Sequence, residues 1–170
     1  MEPKVIWITG LSGAGKTTMA RQLAVQLEGK GLSPVLLDGD AVREAIGDEN
    51  CGHDRHCRLV NAYRICRLAK MIADQGRIVI VATMSLFHEI HEWNRANYPS
   101  YYEVLLECDA DVLKQRDSKG HYGRGENLPG IDIVPELPLK ADIVLCNMDF
   151  SVPPEQLAND VIMGIEGKLS

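Results

Sequence analysis

The chain has 170 residues, of which 45% are hydrophobic and 25% are charged, the composition of an ordinary folded domain. These values exclude a disordered or collagen-like chain, and the length predicts a single domain over residues 1–170. Acidic residues outnumber basic ones by 24 to 18, which gives a formal net charge of −6. A surface of that sign argues against nonspecific binding of nucleic acid or anionic membranes, whereas a small anionic ligand is compatible with it.

The first residues and the cysteines indicate where the protein acts. Residues 1–9 run directly into a strand-like pattern, without a basic leader, a cleavage site or a long apolar stretch. The five cysteines lack the paired spacing that would indicate a disulfide framework. We therefore predict a cytoplasmic protein with reduced thiols and no membrane partner.

Short apolar segments and longer amphipathic segments alternate along the chain. The strand-like segments are Val5–Ile8, Pro34–Leu37, Arg77–Ala82, Tyr102–Glu107 and Asp142–Cys146. The helical segments are Thr17–Leu27, Leu59–Ala73, Leu86–Ala96, Ala110–Gln115 and Pro154–Leu169. Continuous apolar strands joined by helices require a parallel sheet that is covered on both faces. The order therefore predicts a three-layer α/β fold with five parallel strands.

One segment departs from this alternation. Residues Ser118–Leu139 contain repeated glycines and prolines and show no hydrophobic period. A long loop of this kind in an α/β domain is typical of a segment that closes over a site. We therefore expect a mobile lid over residues 118–139.

The most specific motif lies between the first predicted strand and the first predicted helix. The segment Gly10-Leu-Ser-Gly-Ala-Gly-Lys-Thr17 matches the P-loop pattern G-x-x-x-x-G-K-[ST]. In a P-loop, backbone N–H groups surround phosphate oxygens, the lysine reaches the β- and γ-oxygens, and the final hydroxyl binds Mg²⁺. We expect ATP or GTP at this loop, together with Mg²⁺. The predicted nucleotide-binding residues are Gly10, Ser12, Gly13, Ala14, Gly15, Lys16, Thr17 and Thr18.

A P-loop alone does not identify the reaction, because GTPases, motor ATPases and small-molecule kinases share it. The Asn-Lys-x-Asp sequence that reads guanine in GTPases is absent, and the chain is short for a motor ATPase. A phosphotransfer kinase fits best. Two alternatives remain open, namely a regulatory module that binds nucleotide without catalysis and a kinase for a sugar or shikimate-like acceptor.

Two carboxylates follow the second predicted strand in the sequence Leu37-Asp38-Gly39-Asp40. Ligands of open α/β sheets bind at the carboxyl ends of the strands, so both acids should face the P-loop. We predict that Asp40 acts as the base that orients an acceptor hydroxyl, and that Asp38 supports Mg²⁺ through water. The alternative is a turn that caps the following helix, and the two roles are compatible.

Taken together, these motifs resemble those of the adenylylsulfate kinases. The resemblance rests on Gly10–Thr18, Leu37–Arg43, Arg58 with Asn61 and Arg64, Ala69-Lys70 through Gly76, Met84-Ser85, and Arg116-Asp117-x-Lys119-Gly120. Adenylylsulfate kinases transfer the γ-phosphate of ATP to the ribose 3'-hydroxyl of adenosine 5'-phosphosulfate. The resemblance implies the same reaction here, with ATP and Mg²⁺, in a homodimer.

The resemblance also assigns roles to individual residues. It implies that Arg43, Arg58 and Asn61 hold the acceptor nucleotide and its anionic tail, which suits the planar donor fork of arginine. It further implies that Lys119 reaches the bound nucleotides from the lid, and that Arg116 neutralises charge on the transferred phosphoryl group. These residues should therefore converge on the edge of the sheet that carries the P-loop.

Ser85 matches a serine that family descriptions mark as a phosphorylated intermediate. Direct in-line transfer needs no enzyme nucleophile, so a hydrogen bond to the acceptor or to the backbone is the alternative role. The predicted catalytic residues are Lys16, Asp40, Ser85 and Arg116.

The sequence departs from the family where the acceptor base should bind. Adenylylsulfate kinases sandwich adenine between two phenylalanines, and the matching positions here are His53 and Leu128. Stacking contributes about 1–3 kcal/mol per base, so the loss of both rings leaves the identity of the base open. Adenosine 5'-phosphosulfate is the first candidate acceptor. The second is the cytidine nucleotide used by a related enzyme, cytidine diphosphoramidate kinase.

Overall fold

The fold is built on a five-stranded parallel sheet, seen in a computed structural model that describes residues 4–115 and 134–169. The strands are β1 (Val5–Thr9), β2 (Val35–Asp38), β3 (Val79–Ala82), β4 (Tyr101–Glu107) and β5 (Ile143–Cys146). The helices are α1 (Lys16–Gly29), α2 (Gly39–Ile46), α3 (Arg55–Asp74), α4 (His88–Asn97), α5 (Ala110–Gln115) and α6 (Pro154–Leu169). The predicted α/β class with five parallel strands is confirmed.

Helices cover both faces of the sheet. Ile6 and Ile8 of β1 belong to a core that includes side chains of α1 and α6. Val5 and Trp7 belong to a second core that includes side chains of α3 and α4. Every residue of β1 is buried, which explains why its sequence is continuously apolar rather than alternating.

The strand order determines where a ligand can bind. The order is β2-β3-β1-β4-β5, so β1 lies between β3 on one side and β4 on the other. All strands are parallel, and the segments that follow them therefore leave from one edge of the sheet. The connections leave β3 and β1 in opposite directions along the sheet, which opens the crevice in which such folds bind ligands.

The helix starts differ most from the prediction at α2 and α3. Helix α2 begins within the Asp-Gly-Asp sequence; it was not among the predicted helical segments, although a turn that caps a following helix was the alternative prediction for these residues. Helix α3 begins at Arg55 rather than at Leu59. Its earlier start is explained by Asp54, whose carboxylate accepts a hydrogen bond from the Cys57 N–H at 3.0 Å and so caps the helix.

Part of the predicted lid falls within the described residues. Residues 134–139 contain neither helix nor strand, and residues 118–133 lie outside the described part of the chain. The lid therefore remains a prediction. In the two described ranges, no helix is long and apolar enough to cross a membrane.

A buried carboxylate joins β4 to α4 in the amino-terminal half of the strand. Glu103, 1% exposed, accepts hydrogen bonds from the Tyr101 hydroxyl and the Arg95 guanidinium, both at 2.8 Å. His91 Nδ1 lies 2.9 Å from the same carboxylate. Burial raises the pKa of Glu103, but the hydrogen bonds lower it by more, and the carboxyl stays ionised at neutral pH. The cluster lies at the end of the strand opposite the P-loop, so we assign it to stability.

Candidate active site

The P-loop leads from β1 into α1, and two of its glycines are required by geometry. A Cβ atom at Gly10 would collide with the carbonyl oxygen of Leu106 in β4. Gly15, which precedes the first helical residue, has φ 92°, a conformation that side chains with a Cβ rarely adopt. The unpaired N–H groups at the start of α1 therefore adjoin the loop, and they provide the expected anion site.

The other predicted nucleotide-binding residues lie along the same loop and the first turn of α1. Ala14 is buried, Ser12 is half-buried, and Gly13 and Thr18 are exposed. Lys16 Nζ donates a hydrogen bond to the carbonyl oxygen of Leu11 at 2.7 Å, which folds the lysine back over the loop. The ammonium group thus lies against the backbone of the loop that is expected to bind phosphate.

Asp38 connects the P-loop to the start of α2. Its Oδ2 atom accepts a hydrogen bond from the Thr17 hydroxyl at 2.5 Å. Its Oδ1 atom accepts from the backbone N–H groups of Asp40 and Ala41, at 3.0 and 3.2 Å. Asp38 therefore caps α2, as the alternative prediction held, and it also touches the residue expected to bind the metal.

The pair of Thr17 and Asp38 has the chemistry of a magnesium site. Hydroxyl and carboxylate oxygens are ligands that Mg²⁺ prefers, and Mg²⁺ at phosphates usually keeps one or two such protein ligands. The two oxygens already lie next to each other. These residues therefore fit Mg²⁺, which when bound would neutralise charge on the triphosphate.

Helix α2 carries Asp40 and Arg43 towards Arg58 of α3. Burial lowers the pKa of Arg58, the nearby positive charge of Arg43 lowers it further, and the charge of Asp40 opposes both effects. The three side chains are therefore close enough to interact electrostatically. Two guanidinium groups beside a carboxylate can hold an anion and a hydroxyl at the same time.

Both arginines also hold the loop between α2 and α3, residues 47–54. Arg43 donates to the carbonyl oxygen of Gly52 at 2.8 Å, and Arg58 Nε donates to that of His53 at 2.6 Å. Each of these hydrogen bonds uses one of the five N–H groups of a guanidinium, so further donors are available for an oxyanion. The arginines thus shape the 47–54 loop and can bind a ligand beside it. The side chain of His53 is exposed on this loop.

The 47–54 loop is fixed at two further points. Arg64 of α3 donates to Asp48 at 2.6 Å, and this hydrogen bond holds the pKa of Asp48 below its usual value. Cys51 and Cys57 form a disulfide between the loop and the first turn of α3. The prediction that all thiols are reduced is wrong for this pair, because folding α3 from Arg55 brings the two cysteines together. Among the described residues, Cys66, Cys108 and Cys146 lie outside the disulfide.

The end of β3 contributes a buried polar pair. The hydroxyl groups of Thr83 and Ser85 lie 2.9 Å apart, and both side chains are buried. A Cβ atom at Gly39 would lie 2.8 Å from Thr83 Oγ1, so the ends of β2 and β3 pack closely. The structure thus places Ser85 beside the Asp-Gly-Asp segment with its hydroxyl already hydrogen-bonded.

Asn61 lies on the buried face of α3, one turn after Arg58. It is 8% exposed, and its Oδ1 atom has no hydrogen-bond partner among the described residues. A buried amide oxygen without a partner is costly in a folded protein. The position is compatible with the predicted contact to an acceptor. The remaining predicted site residues, Arg116, Lys119 and Leu128, lie outside the described part of the chain.

Two features near the site were not anticipated from the sequence. Thr83 was overlooked because a single threonine after a strand carries no distinctive signal. The loop that follows β5 reaches the P-loop, since the ring of Phe150 lies near Gly15 and the backbone of Phe150 has φ 60°. The Asn147 side chain holds this loop by two hydrogen bonds to the backbone of Val152, at 3.1 Å each. An asparagine directly after a strand was the available signal.

Comparison with known proteins identifies one family. The family model described as "Adenylylsulphate kinase" matches residues 2–146. Two curated relatives are similar over most of the chain. "Cytidine diphosphoramidate kinase" from Campylobacter jejuni is 41% identical over 150 residues, 85% of this chain and 86% of the relative. "Adenylyl-sulfate kinase" from Chloroflexus aurantiacus is 42% identical over 154 residues, 88% of this chain and 82% of the relative.

A solved structure with a similar fold comes from Mycobacterium tuberculosis. It is described as "Structure of the Mycobacterium tuberculosis APS kinase CysC in complex with AMPPNP and APS". The TM-score is 0.87 at 29% sequence identity, and the match covers 97% of this chain and 98% of that one.

Proposed function

Because the chain belongs to the adenylylsulphate kinase family, a family of ATP-dependent phosphotransferases with alcohol acceptors, we propose that it phosphorylates the ribose 3'-hydroxyl of a nucleotide acceptor. The supporting observation is the path of α2. This helix starts at Asp38, which is bonded to Thr17 of the P-loop, and it carries Asp40 and Arg43 towards Arg58. One short helix thus links the phosphate donor to the groups suited to an acceptor.

In the proposed reaction, each side of the site has a separate task. The P-loop amides and Lys16 hold the triphosphate of ATP, and Thr17 with Asp38 would hold Mg²⁺. Arg43, Arg58 and Asn61 hold the acceptor and its anionic 5' tail. Asp40 orients the 3'-hydroxyl and takes its proton while the oxygen–γ-phosphorus bond forms and the bond to ADP breaks. Arg116 and Lys119 are proposed to reach the nucleotides, and Ser85 to hydrogen-bond the acceptor.

Of the two candidate acceptors, we favour a cytidine nucleotide of the diphosphoramidate type over adenosine 5'-phosphosulfate. His53 is exposed on the 47–54 loop, where the adenylylsulfate kinases place a phenylalanine that stacks on adenine. The cytidine diphosphoramidate kinase relative is 41% identical and the adenylyl-sulfate kinase relative 42% identical, so the overall identity is compatible with either acceptor and the choice depends on the residues at the base. Loss of both stacking rings weakens binding of a purine more than binding of a smaller pyrimidine.

Kinetics with both acceptors test this proposal. The full chain, with ATP and Mg²⁺, is assayed against cytidine diphosphoramidate and adenosine 5'-phosphosulfate, and the product mass is read for one added phosphoryl group. We expect kcat/KM to be about tenfold or more higher for the cytidine acceptor. His53→Phe should shift the preference towards adenine, whereas His56→Phe, on the exposed first turn of α3, should not. A preference of wild type for adenosine 5'-phosphosulfate would reverse our choice of acceptor.

The same experiment addresses the alternative of a regulatory module. Binding of ATP without turnover of any nucleotide acceptor would support a module and contradict the kinase proposal.

We further propose that the chain is one domain, that it forms a homodimer, and that it acts in the cytoplasm, where ATP is supplied. Sedimentation of the purified protein tests the dimer. In that compartment the Cys51–Cys57 disulfide would be unusual, because cytosolic thiols are kept reduced.

A further inference from the structure

Glu136 connects α3, which carries Arg58 and Asn61, to α4, which follows Ser85. Its Oε2 atom accepts a hydrogen bond from the backbone N–H of His88, the first residue of α4, at 2.7 Å. Its Oε1 atom accepts from the guanidinium of Arg55, the first residue of α3, at 3.0 Å. One carboxylate therefore joins the amino-terminal ends of α3 and α4.

The carboxylate also caps α4. Phe87 occupies the N-cap position of this helix, and its side chain cannot accept a hydrogen bond from the first turn. Glu136 does so from a distant point in the chain, and its negative charge interacts favourably with the positive end of the helix dipole. The hydrogen bond from the His88 N–H lowers the pKa of Glu136, so the carboxyl is ionised at neutral pH.

Backbone contacts fix the orientation of Glu136. Its N–H donates to the carbonyl oxygen of Leu86 at 3.2 Å, and the carbonyl oxygen of Leu137 lies 3.1 Å from His88 Nε2. The guanidinium of Arg55 in turn lies over the ring of Phe87, 5.2 Å from its centroid. These contacts form a clasp, which we define as Glu136, Arg55, Phe87 and His88.

The clasp adjoins residues that the proposed reaction uses. Arg55 is one turn before Arg58 on α3, and Leu86 directly follows Ser85 at the end of β3. We propose that Glu136 is a positioning residue, which sets the distance between the amino-terminal end of α3 and the end of β3 and thereby aligns Arg58 and Ser85 on the acceptor. This inference rests on the proposed function. Because the clasp joins elements of the acceptor side, we expect binding of ATP to be independent of Glu136.

Two substitutions of similar charge separate positioning from a general loss of stability. Glu136→Gln removes the charge and weakens both hydrogen bonds. Glu92→Gln is the matched control, because Glu92 is an exposed acid of α4 outside the clasp. We expect Glu136→Gln to raise KM for the acceptor about tenfold while KM for ATP changes less than about twofold, because the two charged hydrogen bonds of Glu136 position only the acceptor side. Equal rises in both KM values, or a matching effect of Glu92→Gln, would overturn the proposal.

A second measurement does not depend on the identity of the acceptor. Amide hydrogen exchange of the full chain should become faster over both residues 55–60 and residues 86–91 in Glu136→Gln, and over neither in Glu92→Gln. Acceleration confined to residues 86–91 would show a helix cap without coupling to α3, and would overturn the inference even if the kinase proposal holds. If wild type phosphorylates no nucleotide, the exchange result still decides whether Glu136 couples the two elements.

Discussion

The proposed donor side and the proposed acceptor side of this site are built in different ways. On the donor side, eight consecutive residues form the P-loop, and the geometry of their backbone creates the anion site. On the acceptor side, Asp40, Arg43 and Arg58 come from two helices, and long side chains hold the 47–54 loop. The difference suggests that the donor side is set by local conformation, whereas the acceptor side can change its ligand through a few side-chain substitutions.

The largest expected effect comes from Asp40→Asn, where the two sides meet. We expect kcat to fall by about 10³- to 10⁴-fold because the acceptor hydroxyl loses its base, while the affinity for ATP stays unchanged. Steady-state kinetics and ATP titration measure the two effects. Glu44→Gln, an exposed acid on the same helix, should behave like wild type. A loss of ATP affinity in Asp40→Asn would mean that the two sides are not separable.

Lys16→Ala should lower kcat/KM by about 10²- to 10³-fold with every acceptor, because the ammonium group stabilises charge on the transferred phosphoryl group. The loss should be equal for the cytidine and adenosine acceptors if the donor side does not contact the acceptor base. Lys16→Arg, which keeps the positive charge, is the control. A loss that differs strongly between acceptors would contradict the division into two sides.

Arg58→Lys is expected to raise KM for the acceptor by about tenfold to 100-fold, because lysine keeps the charge but loses the planar donor fork. KM for ATP should be unaffected. The control is Arg67→Lys, an exposed arginine further along α3. If both KM values rise together, Arg58 serves the fold of α3 rather than the acceptor.

Removal of the disulfide should have a smaller effect. Cys51 and Cys57 are 6 residues apart in sequence, and closing so short a loop contributes about 2 kcal/mol to the free energy of unfolding. Cys51→Ser with Cys57→Ser, or a thiol reductant, should lower Tm and raise KM for the acceptor a few-fold by loosening the 47–54 loop. Cys146→Ser, at an exposed free thiol, is the control. An unchanged KM for the acceptor would show that the disulfide does not affect acceptor binding.

The smallest expected effect concerns pH. The hydrogen bond from Arg64 lowers the pKa of Asp48 in the folded state, so this carboxylate stabilises the fold above its unfolded pKa, and the contribution is lost as the pH falls through the folded pKa. Wild type should therefore have a higher Tm than Asp48→Asn near neutral pH, and the difference should shrink as the pH falls below the unfolded pKa of about 3.9. Glu49→Gln, at an exposed acid on the same loop, is the matched control and should leave Tm close to that of wild type. A difference in Tm that persists in acid would assign the effect to packing.

The sequence by itself determined the donor side and the fold class. The P-loop could be predicted because its closely spaced glycines and the following helix have their own conformational preferences. The strands could be predicted because buried strands of a parallel sheet need continuous apolar runs. Helix α2 was absent from the predicted helical segments, because the residue types of Asp38-Gly39-Asp40 favour a turn when read alone, and only the alternative of a capping turn indicated it. The start of α3 at Arg55 was also missed, because it depends on a single hydrogen bond to Asp54 that the hydrophobic pattern does not reveal.

Only the tertiary structure decided the strand order, the Cys51–Cys57 pair, the hydrogen bonds from Arg43 and Arg58 to the 47–54 loop, and the clasp at Glu136. Each of these joins residues whose own conformations do not require the contact. Glu136 illustrates the reason, because nothing around it in sequence distinguishes it from a solvated acid. Its two partners lie 48 and 81 residues away along the chain, and only packing of the helices on the sheet brings them to one carboxylate.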